Sequence, residues 1–168
     1  MKFITGLAIA FLLGFVPSDS GDHVGEPFPK TTLKTLDGGT VDTADFFNEG
    51  KITVVSFWAT WCVPCQKELD NISKYYGEWQ EDYDVQLVAI SIDSERILPK
   101  VAGIVESKAW DYHVFSDAKQ ELMKSLEFQT IPQTFLLDSD GNIVYSHNGY
   151  SDGDELILEE HIAEVAGK

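Results

Sequence analysis

Cationic side chains are scarce in this chain. Its 168 residues carry 12 Lys and Arg against 28 Asp and Glu, a formal net charge of -16, and Arg96 is its one arginine. A surface this acidic repels phosphate backbones and anionic lipid headgroups, which argues against nucleic acid as a partner and leaves a basic protein partner allowed but not required. Cysteine is nearly absent as well. Cys62 and Cys65 are the only two, and a bridge closing so short a loop constrains the unfolded chain little, so it has small value as a structural staple. No second C-x-x-C exists to complete a four-sulfur zinc site, and His23, His113, His147 and His161 are far from the pair in sequence. Long apolar runs are also missing. The stretch from Phe3 to Val16 has 14 residues, too few to span a bilayer comfortably. No cysteine lies near its end, which excludes a lipid-modified one there.

What that stretch does resemble is a targeting segment. Lys2 precedes it, and the polar, turn-rich Pro17-Ser18-Asp19-Ser20-Gly21 follows. The expectation is a signal peptide over residues 1–20, cleaved on export to the periplasm or another extracytoplasmic site. An uncleaved segment would instead tether the protein to a membrane. Removing residues 1–20 takes away one Lys and one Asp and leaves the net charge at -16. Residues 21–168 suffice for one domain with a real core, and they contain no internal repeat or low-complexity tract.

Along that domain the pattern alternates between strand and helix. Residues 31–41 alternate loosely around Asp37-Gly38-Gly39, as in an N-terminal hairpin. Ile52 to Trp58 is a β-rich run with no polar face, as in a central strand covered on both sides. Leu69, Ile72, Tyr76 and Trp79 then recur at helical spacing. A second core strand runs from Val85 to Ile92, and a helix over 95–108 is delayed by Pro99. Trp110 to Phe115 reads as a short strand, and Asp117 to Leu126 as a helix capped by Asp117. Thr134–Leu137 and Ile143–His147 flank a turn-rich Asp138 to Asn142 and predict an edge hairpin. A last helix, about Asp152 to Ala166, would pack through Leu156, Ile157, Ile162 and Val165.

The cysteines therefore fall where a buried strand hands over to a helix. A C-x-x-C in that context is a strong redox signal. Unpaired backbone N–H groups and the positive end of the helix dipole favour a thiolate there. Cys62, nearer that end, is the expected nucleophile. Cys65, one turn inward, would resolve a mixed disulfide by attacking the first sulfur. Pro64 suits a first helical turn, where its missing N–H costs nothing, and Val63 adds bulk without charge. No cofactor or metal is required by this chemistry. A Cu(I) ion would accept two thiolates, so a copper-binding or transfer module remains an alternative.

With these residues in view the chain resembles the thioredoxin superfamily, and more closely its exported TlpA/ResA-like branch. The resemblance rests on Val55-Ser56-Phe57-Trp58-Ala59-Thr60-Trp61-Cys62-Val63-Pro64-Cys65, on Thr130-Ile131-Pro132-Gln133-Thr134-Phe135 and on Asp138-Ser139-Asp140-Gly141. It covers approximately residues 26–166 and implies an α/β thioredoxin-like fold: a central mixed sheet flanked by helices, with an N-terminal β extension. Pro132 would be the family's cis-proline beside the cysteines, and the backbone of Ile131 would bond an extended segment of a substrate protein. Trp61, Val63, Pro64, Ile131 and Pro132 then form the expected substrate-binding face. The 67 residues from Cys65 to Pro132 imply a central insertion of about 25 residues, roughly 93–118, adding a helix and some edge structure. The resemblance further implies a monomer that reduces cysteine-containing exported proteins and is recharged by a membrane thiol reductant. Cytochrome maturation is one use it implies.

Two positions depart from the wider pattern. Thioredoxin carries a buried Asp in the strand before the motif, where this chain has Ser56. The proton acceptor for Cys65 must then lie elsewhere, and Glu68, one turn beyond, resembles the glutamate of the TlpA/ResA-like branch. Desolvation there would raise its pKa toward neutrality, whereas a surface position would leave it inert. Asp70 stands where many relatives have a helix-kinking proline. Trp58 is expected to be chiefly a packing residue, and Asp93, ending the second core strand, a cap or turn former. The enzyme alternative is a peroxiredoxin-like peroxidase, which needs Thr or Ser in a Pro-x-x-x-Thr/Ser-x-x-Cys pattern and an arginine. This chain lacks that pattern, and Arg96 lies in the insertion.

Overall fold

The computed structural model describes residues 23–47 and 50–168, so the predicted leader over 1–20 lies outside them. Among the described residues, no helix is long and apolar enough to cross a membrane. Seven strands of the described residues form one mixed sheet: β1 (Thr32–Thr35), β2 (Thr40–Asp42), β3 (Ile52–Trp58), β4 (Val85–Ser91), β5 (His113–Ser116), β6 (Gln133–Leu137) and β7 (Ile143–Asn148); a short helix, α1 (Thr43–Phe47), follows β2. Their order is β2-β1-β5-β4-β3-β6-β7. The central β3 runs parallel to β4 and antiparallel to β6. Every residue of β3 and β4 is buried, which is why neither sequence shows a polar face.

Successive residues of a strand point to opposite faces, and the core divides accordingly. Val54, Leu87 and Leu136 join Ile72, Tyr76 and Trp79 of α2 (Val63–Tyr83) and Leu158 and Ile162 of α5 (Asp154–Val165) in one cluster. Their strand neighbours Val55, Val88 and Phe135 belong to the opposite cluster, with Leu122, Leu126 and Phe57. That second cluster takes in Trp58 at the end of β3 and continues through Cys62, Cys65 and Leu69, so the start of α2 is seated on it.

Several boundaries differ from the sequence expectation. The segment 93–118 holds a 3-10 turn (Glu95–Ile97), α3 (Leu98–Lys108) and β5. β5 pairs with both β4 and β1, so it is an interior strand and not edge structure. The strand starts at His113 and not at Trp110, because Ala109 ends α3 at φ 52° and the Trp110 ring turns onto Trp58, with centroids 5.1 Å apart. The expected helix from Asp117 to Leu126 shrinks to α4 (Glu121–Ser125), since Gln120 sits at φ 56° and cannot continue a helix. Asp117 nevertheless caps it, accepting from the N–H groups of Glu121, Leu122 and Met123 at 2.8, 3.0 and 3.2 Å. In α5, Leu156 and Ile157 are exposed, contrary to expectation. The buried stripe is Leu158 and Ile162, with Val165 packed beside it, and the other two fall outside that 3.6-residue period.

Candidate active site

The loop between β3 and α2 is fixed from several directions. The Cys62 N–H donates to the Ala59 carbonyl at 3.0 Å, and Gln66 Nε2 donates to the Thr60 carbonyl at 3.1 Å. Asp93 does more than cap a turn. Its carboxylate, buried at the end of β4, accepts from the Thr60 N–H at 2.7 Å, the Thr60 hydroxyl at 3.1 Å and the Ser91 hydroxyl at 2.9 Å. Its place beyond the carboxyl end of a parallel strand was the available signal for such a role.

Cys62 is the N-cap of α2, and its Sγ accepts from the Cys65 N–H at 3.3 Å. Pro64 occupies the first turn, which contains no acidic residue to oppose a thiolate. The two sulfurs are joined in a disulfide with Cα atoms 5.3 Å apart. Cys62 is 5% exposed and Cys65 fully buried, so neither sulfur stands wide open. Around them the apolar Trp61 and Val63 are 66% and 75% exposed, large values for side chains of this size beside a core.

The Ile131–Pro132 peptide is cis, the geometry the resemblance implies. The Ile131 carbonyl oxygen lies 3.9 Å from Cys62 Sγ, which brings the second motif against the first across 69 residues of sequence. Asn148, unremarked in the sequence, organises this loop. Its Nδ2 donates to the Thr130 carbonyl at 3.0 Å and to Gln133 Oε1 at 2.9 Å, and its Oδ1 accepts from the Thr130 hydroxyl at 2.9 Å. No sequence signal distinguishes it from any other polar residue ending an edge strand.

Glu68 is buried, only 3% exposed, which removes the surface alternative. Its Oε2 accepts from the Ser56 hydroxyl at 3.0 Å and its Oε1 from the Thr134 hydroxyl at 2.8 Å. Desolvation pushes its pKa up to about 7, against the lowering effect of the two hydroxyls, and the negative charges of Asp154 and Glu155 add to the rise. A carboxyl held near neutrality can both take and give a proton around pH 7. Trp58 is a fully buried packing residue. The described residues contain no group of three or more His, Cys, Asp or Glu placed to hold a metal ion.

Comparison with known proteins agrees with this geometry. The model of the AhpC/TSA family matches residues 24–146. The chain is 31% identical over 125 residues to sporulation thiol-disulfide oxidoreductase A of Bacillus subtilis (strain 168), covering 74% of this chain and 73% of that protein. It is 27% identical over 160 residues to the thiol-disulfide oxidoreductase ResA of Bacillus thuringiensis subsp. konkukian (strain 97-27), covering 94% and 88%. Among solved structures, a thioredoxin-like protein from Porphyromonas gingivalis superposes with a TM-score of 0.74 at 36% identity, over 83% of this chain and 92% of that one. StoA from Bacillus subtilis superposes with a TM-score of 0.63 at 30% identity, over 79% and 96%. The chain belongs to the AhpC/TSA family and is a thioredoxin-like thiol-disulfide oxidoreductase.

Proposed function

We propose that the protein is exported and reduces disulfides of other exported proteins, with Cys62 attacking and Cys65 resolving. The observation that carries this reading is the position of Cys62 Sγ: it caps α2, accepts the Cys65 N–H, and lies beside the Ile131–Pro132 backbone. An extended substrate segment lying along Ile131 would place its own cysteine against that sulfur, with Trp61, Val63, Pro64 and Pro132 as apolar walls. Trp61 and Val63 supply the exposed contact area for such docking.

In the reducing direction, the Cys62 thiolate attacks one sulfur of the substrate disulfide and the other leaves as a thiolate. Cys65 then loses its proton and attacks Cys62 Sγ, which frees the second substrate sulfur and closes the Cys62–Cys65 disulfide. Glu68, one turn beyond Cys65 on the same buried side of α2, takes the Cys65 proton. The spent disulfide is reopened by an upstream membrane thiol reductant, and cytochrome maturation is a use that fits this direction. Export rests on the leader-like residues 1–20.

Exchange measured with Cys variants tests the assignment. Cys62→Ser should abolish disulfide exchange, whereas Cys65→Ser should accumulate mixed disulfides with the substrate, visible on non-reducing gels. Full exchange by Cys62→Ser would overturn the nucleophile. Equilibration with a reference dithiol tests the direction: a potential near about -270 mV supports reduction, and one near about -120 mV makes the protein a disulfide donor.

A further inference from the structure

A proton given to Glu68 has to leave the core, and the sheet offers a line outward. Ser56 of β3, Thr134 of β6 and His147 of β7 are directly paired across three adjacent strands. Residues so paired share one face of the sheet, here the face carrying Glu68, to which Ser56 and Thr134 both donate. Ser56 ends the line inward, since it is fully buried and flanked by β4. His147 ends it outward, since β7 is the last strand of the sheet.

Between Glu68 and His147 lies a crevice of about 10 Å³, room for one water molecule. Its walls are Glu68, Thr134, Tyr145, His147, Asp154 and Glu155, closed by Ile72 and Leu158. Most of its polar groups are already committed. The Glu155 Oε2 accepts from the Tyr150 hydroxyl at 2.8 Å, and Asp154 Oδ2 accepts from the Ser151 N–H at 2.7 Å. His147 Nε2 is different: it is buried and has no hydrogen-bond partner among the described residues. The nearest carboxylate oxygen recorded for it is Asp154 Oδ2, 3.6 Å away and beyond hydrogen-bonding distance. The His147 and Asp154 side chains keep 20% and 24% of their surface exposed, so this pair reaches from the crevice to solvent.

We propose that His147, flanked by Asp154, is the positioning residue that carries protons between Glu68 and solvent along the row Ser56–Thr134–His147. The inference rests on the reading of Glu68 as the proton acceptor of Cys65. When Cys65 Sγ–H gives its proton to the Glu68 carboxylate, the new thiolate bonds to Cys62 Sγ and the substrate sulfur departs with the electrons of its broken bond. The Glu68 proton then passes, by way of the Thr134 hydroxyl and the crevice, to the free Nε2 of His147, which hands it on to a solvent base. Glu68 is thereby ionised again for the next turnover. The groups facing this path are Tyr145 on β7 and Asp154 and Glu155 on α5, and the buried Tyr112 before β5 feels the Glu68 charge from further off. Tyr112 and Tyr145 keep their protons, because burial raises both above the ordinary phenol range.

Buffer rescue tests the path on the whole protein. Steady-state disulfide exchange, in which Glu68 must lose its proton in every cycle, would be compared with stopped-flow resolution of a Cys62 mixed disulfide for the parent, His147→Gln and Glu68→Gln, at low buffer and with added imidazole. His147→Gln should turn over about tenfold slower at low buffer and regain the parental turnover as imidazole is added, as expected when a proton carrier is replaced from solution. Its urea midpoint serves as the control for folding. Glu68→Gln should be slow in the resolution step itself, with or without imidazole. A His147→Gln protein that turns over at the parental rate, or slowly and without response to imidazole, overturns the path and leaves His147 as packing. If Glu68→Gln itself resolves normally, the assignment of Glu68 is what has failed.

Discussion

At Glu68, chemistry is set against stability. The carboxyl has an ordinary value of 4.5 and a native value of about 7, so between those limits the folded protein binds more protons than the unfolded chain. Stability therefore falls as pH rises through this window. Below 4.5 both states are protonated and the penalty is absent; above 7 it is complete, on the order of 3 kcal/mol. Glu68→Gln removes the ionisation, so its urea midpoint should decline less than the parent's between about pH 4.5 and pH 8. Parallel curves would mean that Glu68 stays ionised in the fold at no cost. The sequence alone placed Glu68 one turn past Cys65, because helical spacing fixes that much. It could not supply Thr134, which reaches the same carboxylate only through the β3–β6 register. Nor did it show that Ser56, which replaces the thioredoxin aspartate, still belongs to the site: the carboxylate now comes from the helix and the strand position holds it with a hydroxyl.

Among the elements, α2 carries the longest list of obligations, and Asp70 connects it to α3. Its Oδ1 accepts from Trp110 Nε1 at 3.0 Å, and its Oδ2 pairs with Lys108. Trp110 in turn packs edge-on against Trp58, four residues before Cys62. Asp70 thus ties the helix sideways to the segment 93–118. About a third of the Asp70 and Lys108 side chains is exposed, so the ion pair itself is worth little. The indole N–H is the larger stake, because without Asp70 it is left unpaired beside the buried ring. Asp70→Ala should therefore lower stability by about 2 kcal/mol, and Asp70→Asn, which keeps an acceptor, by less than about 1 kcal/mol. Equal losses in urea unfolding would assign the whole effect to charge. The same element shows why the inserted segment was only half legible. Pro99 and the apolar spacing announced α3, but the paired status of β5 depends on β1, whose antiparallel register comes from the far end of the chain. The two left-handed residues Ala109 and Gln120, which set the flanking boundaries, are types that rarely adopt that conformation.

The whole molecule contributes its field. With a net charge of -16, the protein should attract cationic disulfides and repel anionic ones before any contact forms, and salt should erase both effects over a Debye length of about 8 Å at physiological ionic strength. Composition made this legible at once, whereas its strength at Cys62 depends on where the charges fall. The first turn of α2 has no acidic residue, and the nearby Lys67 is neutralised by Asp152. Three small disulfides separate the local field from the global one. With the dithiol form in excess, cystamine, hydroxyethyl disulfide and oxidised glutathione carry positive, no and negative net charge at neutral pH. If the global charge reaches the nucleophile, rising salt should slow the attack on cystamine, speed that on oxidised glutathione and leave hydroxyethyl disulfide unchanged. Identical salt responses for all three would show that the helix terminus and its neutral first turn isolate Cys62 from the acidic surface. Partner choice would then rest on the apolar contacts of Trp61 and Val63.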